Sequence, residues 1–334
     1  MDNVTHTLVA LALARAGFNR IGQGATTVLL LSANAPDSDI IAATQGALRY
    51  LEIHRGYTHS LLLAPVMAAL CVAVTGAIFR KRLRWLPLWG VACVGVASHL
   101  LLDWTNPYGI RLLLPFSSRW LHGDLNNLTD GVVLAVLALA AIWPWFAGLV
   151  SSEIGDRPGR GRGIAIAALV FYLIFDFGRA LMHARAITQL ESRLYDGVVP
   201  STVAAVPRSI NPFTWSGIIE TADAYRSVDV NVFSNVDPDR AVMFYKIPFD
   251  AAIRSALTTE PFRFFVYFAR FPAWAEQPVF LPAMHATRVD LTDLRFGAPG
   301  LGSFHCVALV DAAGRVRNST FTYGSGVSLG NAEE

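Results

Sequence analysis

The sequence is poor in charge. Only 16% of its 334 residues are Asp, Glu, Lys or Arg, whereas soluble domains carry about a quarter. The deficit is concentrated in the first half, which argues against a large soluble core there and for membrane spans; the mean hydropathy is +0.42. A formal net charge of +2 leaves no electrostatic footprint for nucleic acid. Cysteine is nearly absent. Cys71 and Cys93 lie in apolar runs and Cys306 stands alone, so no CxxC pair or disulfide framework can form. HExxH, GxSxG, Walker A and GxGxxG are also missing, which removes the zincin proteases, the nucleophile-elbow hydrolases and the phosphate-cradling loops. Acidic Asp2 replaces the basic start of a signal peptide, and no small-residue cleavage site follows. The N-terminus is therefore expected to be retained.

What the chain does have is long apolar runs. Residues 60–79 and 131–150 carry no charge, and 86–104 is apolar until Ser98, His99 and Asp103. These three match the roughly 20 residues that cross a bilayer. A fourth run, 164–181, holds Asp176 and Arg179. Two shorter stretches, 7–16 and 25–35, are too short to cross alone and predict a re-entrant helix pair. The loops RKRLRW (80–85) and SSEIGDRPGRGRG (151–163) are short and basic, which assigns both to the cytoplasm. Residues 54–59, 99–130 and everything after 182 then fall on the outer side.

From about residue 182 the texture changes. Period-2 alternation in 240–249, 262–271, 288–296, 303–310 and 315–323 predicts strands, the last two joined by the hairpin signal DAAGR (311–315). The expected organisation is an α-helical membrane domain over 1–181, with about four spans and the short re-entrant pair. A soluble α+β or β-rich domain over 182–334 follows it, on the periplasmic side.

Ionisable residues at membrane depth are costly, so function is the default reading for them. Six of the eight histidines lie in or directly beside the membrane half. His99 and Asp103 are spaced i, i+4 and share one helix face, from which both can reach one metal ion. The alternative is a His–Asp hydrogen bond that locks a helix end. His54 and His59 flank Gly56, where a turn could bring both inward, or an interfacial loop could hold them for solvation alone. Arg55 between them offers a bidentate fork for a phosphate. Asp37 and Asp39 suit a hard or borderline cation, one of them bridging two metals, or else form a plain polar loop. His6 follows Asp2 at the same i, i+4 spacing and is either a further ligand or part of a capped helix start. Asp124 or Asp130 could be a ligand or a general base, while His122 in its loop reads as solvated. His285, His305 and the aromatic segment 262–274 read as strand or core residues, and Asn211–Trp215 as a turn. The loop charges bring His54, His59, His99, Asp103, Asp124 and Asp130 to one side of the bilayer, and His6, Asp37 and Asp39 join them if 7–16 and 25–35 form a hairpin from that side. Mixed His/Asp donors favour zinc, with manganese or magnesium as alternatives.

The opening MDNVTHTLVALALA, the PDSD at 36–39, HRGYTHS at 54–60 and SHLLLDWTNPYG at 98–109 together resemble the bacterial membrane-bound metal-dependent hydrolase family, over about residues 1–180. The resemblance implies a multi-helix inner-membrane protein with metal ligands at His6, Asp37, His54, His59, His99 and Asp103. More distantly, the order of ligands is similar to that of zinc-dependent phospholipase C and P1-type nucleases. Their second HxxxE/D group has no counterpart here, which leaves one or two metals. The expected activity is therefore attack of a metal-activated water on a phosphoester of a membrane lipid or lipid-linked substrate. Asp39 would act as bridge or base, Arg55 would neutralise a phosphoryl oxygen, and Asp130 is the third catalytic candidate. Two other readings stay open: a non-enzymatic protein using the same shell as a structural metal site or transport pathway, and an intramembrane metallopeptidase.

Overall fold

The computed structural model describes residues 1–80, 83–154, 161–209, 211–281, 284–299 and 303–323. Lys81, Arg82 and residues 155–160, which contribute to the basic-loop argument, lie outside them. The chain divides into two compact units. The first comprises residues 1–41, 53–184 and 207–213; the second comprises 42–52, 185–206 and 214–334.

The first unit is helical. Helix α1 (Asn3–Ala16) starts where the Asp2 carboxylate accepts the Thr5 N–H at 3.0 Å, a side-chain cap for a first turn without helical partners. Helix α2 (Ala25–Ser32) runs into a 3-10 segment, Pro36–Gln45, that carries Asp37 and Asp39. After α3 (Ala47–Ile53), which belongs to the second unit in all but its last residue, the chain turns through Arg55 and Gly56 into a 3-10 turn, Tyr57–His59, and enters α4 (Ala64–Phe79). The expected span at 60–79 thus begins four residues late, because Ser60–Leu63 form the entry turn. Helices α5 (Trp85–Trp104), α6 (Gly131–Ile154) and α7 (Arg162–Glu191) complete the unit, α7 continuing past residue 184 into the second.

Among the described residues, three helices, α5, α6 and α7, are long and apolar enough to cross a membrane. A fourth crossing is counted only if the pair Ala47–His59 and Ala64–Phe79, bent by 87°, forms one broken span. The outer faces of these helices are apolar and open: Leu139 is 69% exposed and Phe177 67%. Such faces are stable against hydrocarbon and aggregation-prone against water.

Small residues hold the helices together. Ala10, Ala14, Ala25, Ala33, Ala68 and Ala92 are buried in one cluster with Val28, Leu29, Leu88 and Val96. They let backbones approach closely where lipid offers no hydrophobic drive to associate. The tightest approach is at Gly95 of α5. A Cβ there would lie 2.0 Å from Ser32 Oγ and 3.3 Å from the Ala33 nitrogen. Charges within the spans are satisfied locally. Pro144 interrupts α6 and deprives the Ala140 carbonyl of its N–H partner. The Arg15 guanidinium of α1 covers that gap, donating to the Ala140 and Ala141 carbonyls at 3.4 and 2.6 Å. On α7, Arg179 donates to the Leu125 carbonyl at 2.8 Å and to the Pro212 carbonyl, and Asp176 accepts from Asn126 at 2.7 Å.

The second unit holds two four-stranded antiparallel sheets. One has the order β1 (Thr202–Pro207), β2 (Thr214–Glu220), β3 (Ala224–Asn231), β4 (Val242–Tyr245). The other has β5 (Pro272–Leu281), β6 (Met284–Asp293), β7 (Phe304–Asp311), β8 (Val316–Tyr323). The β7–β8 hairpin closes at Gly314, φ +77°, within the expected DAAGR turn. In the chain, α8 (Ala251–Ala256) and α9 (Glu260–Phe268) come between β4 and β5, and both pack on strands of the second sheet.

Helix α9 corrects the strand expected at 262–271. Its buried residues Phe262, Phe265 and Phe268 recur every third position, which is the helical face. Thr259 before Glu260-Pro261 is a helix-start signal that outweighs the aromatic content. The expected strand 288–296 likewise ends at Asp293, which accepts the Arg295 N–H and turns the chain into a 3-10 segment.

The Gly95 contact yields a first prediction. Gly95→Val overpacks the α2–α5 interface and is expected to destabilise the detergent-solubilised protein by about 1–3 kcal/mol, read as a lowered thermal midpoint. Gly95→Ala is expected to be milder, and milder still combined with Ser32→Ala.

Candidate metal centre

Four segments of the first unit bring His and Asp side chains to one place. Helix α5 supplies His99 and Asp103 from one face, the 3-10 turn before α4 supplies His59, the segment after α2 supplies Asp37, and α1 supplies His6. Fixed hydrogen bonds aim these groups. His99 Nδ1 donates to the Ala33 carbonyl at 2.7 Å, so its Nε2 carries the lone pair. The close α2–α5 approach at Gly95, one turn earlier on α5, brings that carbonyl into reach. The Thr58 hydroxyl donates to Asp39 Oδ2 at 2.8 Å and lies 3.0 Å from His59 Nδ1. Its proton being committed, it accepts from Nδ1–H, and His59 Nε2 is also left with a lone pair.

The two lone pairs face each other at 3.1 Å. His59 Nε2 lies 3.3 Å from Asp103 Oδ2 and 3.5 Å from Asp37 Oδ1; His99 Nε2 lies 3.5 and 3.6 Å from the same two atoms. Asp103 Oδ2 has no hydrogen-bond donor among the described residues. Its partner oxygen Oδ1 accepts from Arg55 Nη2 at 3.0 Å and from the Met1 amino group, and His6 Nε2 lies 3.4 Å away. The His6 ring stacks on His99 with centroids 3.8 Å apart. Four acceptor atoms thus converge in a buried space, an arrangement that repels itself unless a proton or a metal cation sits among them, and one that could hold a metal ion.

A second group adjoins the first. Ligand atoms of Asp37, Asp39 and His54 all lie within 4.8 Å of one another, and Asp37 belongs to both groups. His54 Nδ1 donates to Asp39 Oδ1 at 2.8 Å, and the Arg55 N–H donates to Asp39 Oδ2 at 3.2 Å. Burial pushes the Asp39 carboxyl upward. The His54 hydrogen bond, the His54 and His59 charges and the Thr58 hydrogen bond outweigh it and hold the group below the usual carboxylate range. Its two oxygens are engaged by three donors, an arrangement suited to orienting His54 and His59.

The six expected metal residues are therefore brought together: His6, Asp37, His59 and His99 around the Asp103 carboxylate, and His54 beside Asp37. The catalytic candidates fare differently. Arg55 is 3% exposed, and its guanidinium is taken up by Asp103, by Asn106 Oδ1 at 2.8 Å and by the Gly109 carbonyl at 3.3 Å, over the Tyr108 ring. It clamps the candidate ligand Asp103. Asp130 belongs to neither His/Asp group. Its Oδ1 accepts the Val132 and Val133 N–H groups at 3.0 and 3.1 Å and so caps α6. Asp124 lies 3.2 Å from His122 and likewise belongs to neither. Sequence reasoning missed Thr58, Asn106 and the Ala33 carbonyl. The first two stand inside the quoted HRGYTHS and LDWTNPYG motifs, whereas a backbone carbonyl carries no sequence signal.

An apolar helical unit with a buried His/Asp shell and a sheet-built second unit define a membrane protein with a candidate metal centre. The family model for YdjM inner membrane protein matches residues 1–183, more than half of the chain, and the protein belongs to that family. The chain is similar to "Uncharacterized protein YfhP" of Bacillus subtilis (strain 168), 26% identical over 207 residues that cover 59% of each chain. It is also similar to inner membrane protein YbcI of Escherichia coli (strain K12), 29% identical over 135 residues, covering 36% of this chain and 76% of that one. The match thus spans about three-fifths of YfhP's length. No solved structure matches.

Two predictions follow from the geometry. Thr58→Val removes the group that sets the His59 tautomer and is expected to weaken zinc affinity about tenfold or more, measured by competition with a chromophoric chelator. Asp130→Ala is expected to leave bound metal unchanged while costing about 1 kcal/mol as a lost cap, read from the thermal midpoint.

Proposed function

We propose that this inner-membrane protein is a metal-dependent hydrolase acting on a phosphoester of a lipid or lipid-linked substrate. The observation that carries the reading is the convergence of His59 Nε2, His99 Nε2, Asp37 Oδ1 and Asp103 Oδ2 with their lone pairs turned inward. Two imidazoles and two carboxylates form a borderline donor set that fits zinc, with manganese or magnesium next. His59, His99, Asp37 and Asp103 would hold the ion, with His6 beside them. Asp37, Asp39 and His54 would hold a second. When bound, such a cation supplies the Lewis acidity that makes water a nucleophile at neutral pH.

The chain's own residues do the rest. Arg55 holds Asp103 in place and partly neutralises its charge. Asp39 fixes His54 directly and His59 through Thr58. Substrate access is from the side of Asp37 and His54, each 9% exposed, because His59, His99 and Asp103 are fully enclosed. The resemblance to phosphoester-cleaving metalloenzymes supports the bond type. The basic loops support a multi-pass topology with the centre near the outer face and the second unit in the periplasm.

That same enclosure favours one other reading, a closed structural metal site. The experiment compares purified wild type with His99→Ala and Asp103→Ala for bound metal and for hydrolysis of phospholipid and soluble phosphoester substrates. The hydrolase reading expects metal and hydrolysis to be lost together. Metal retained in both variants removes the ligand assignment. A wild type that binds metal but cleaves nothing leaves the structural site.

A further inference from the structure

Beside the His/Asp cluster, within the same helical unit, lies a groove of about 620 Å³, a volume within the range of small-molecule sites. Its lining is uncharged. Leu30 and Leu31 of α2 and Met67, Leu70, Cys71 and Val74 of α4 form its walls. The three polar side chains, Thr7, Asn34 and Ser38, are all neighbours of the cluster in the chain. Thr7 follows His6, Asn34 follows the Ala33 that holds His99, and Ser38 stands between Asp37 and Asp39. The Asn34 amide donates to the Thr7 hydroxyl at 3.1 Å.

The topology gives the groove a direction. Helix α2 ends at the cluster and α4 begins there, just after His59. Met67 is therefore near the cluster and Val74 is far from it, about 10 Å away along the helix. The groove runs from a polar end at the candidate centre to an apolar end at membrane depth. It is also open on its side, since Leu70 is 59% exposed and Val74 49%. Water gains little from an apolar cleft with so few polar partners. A nucleotide or charged peptide finds no counter-charge in its lining.

We propose that this groove holds one acyl chain of a bilayer phospholipid, entering sideways from the membrane, with its headgroup at the Asn34–Ser38 end beside Asp37. The assignment rests on the hydrolase reading above and names its substrate class. Phospholipid is the amphiphile that the open side of α4 meets in a bilayer, and its polar-to-apolar order matches that of the groove.

The test uses the full chain in nanodiscs of phosphatidylethanolamine and phosphatidylglycerol, doped with a phosphatidylglycerol carrying a mid-chain diazirine. Labelled peptides are mapped after photolysis. Labelling of the groove residues of α2 and α4 is expected to exceed that of the outer faces of α6 and α7 roughly tenfold, the ratio set by about 1.4 kcal/mol of preference. Cys71→Trp, which fills the groove, is expected to bring labelling to the bulk level while bound zinc stays at the wild-type amount. Leu31→Trp is a second filling variant should the first fail to fold. Equal labelling of all apolar faces, or labelling that survives both variants, overturns the proposal. Stronger competition by an isoprenoid phosphate than by unlabelled phosphatidylglycerol at equal mole fraction overturns it as well. Groove labelling without any hydrolysis removes the hydrolase reading and leaves the lipid site standing. Cleavage of a short-chain phosphoester without groove labelling does the reverse.

Discussion

The organisation of the helical unit depends on an electrostatic conflict. His59 Nε2 and His99 Nε2 approach to 3.1 Å with Asp37 and Asp103 oxygens beside them, in a buried space. Protonating either imidazole at Nε2 would relieve the repulsion, at a cost that rises with burial. A divalent cation would resolve the conflict with all four atoms in place. The surrounding bonds, Arg55 on Asp103 and Thr58 on Asp39, keep the shell from relaxing outward.

Such a shell needs rigid support, and the helices supply it through close packing of small residues. Gly95 lets α2 touch α5, and that contact puts the Ala33 carbonyl against His99. The interior combines this apolar packing with the buried His/Asp groups, and large apolar side chains also cover the outside, where a water-soluble domain would be polar. The second unit follows ordinary rules, with a phenylalanine-rich core in which Phe265 of α9 packs on Phe321 of β8 at 5.4 Å.

Much of this was legible in the sequence. The His99–Asp103 spacing on an apolar run predicted a shared helix face, and charge-poor runs predicted the long helices. The change of periodicity after about residue 182 predicted the sheets. The convergence of His6, Asp37 and His59 was readable only through motif order, because contacts across dozens of residues leave no local pattern. Two kinds of reading differ from the structure. Segment 262–268 is a helix because burial every third residue and a Thr-Glu-Pro start outweigh aromatic content. Asp130 and Arg55 were read as chemistry from their charge, yet one caps α6 and the other clamps Asp103. Charge in an apolar sequence marks a site that must be satisfied; only geometry tells whether the partner is a ligand, a helix end or another side chain. That Asp37 belongs to both His/Asp groups could not be read from spacing, since it depends on how the turn at Gly56 folds back.

The proline of α6 has a consequence that reaches the centre. By surrendering one rung of its own ladder at Ala140, α6 exposes a docking point that Arg15 occupies. Arg15 stands at the end of the helix whose first turns carry His6. The imperfection in one span is thereby a mooring for another: α1 is tied to α6 at its far end and stacked on His99 at its near end. A helix of only fourteen residues, too short to be held by the bilayer itself, is kept in register by its neighbours at both extremities.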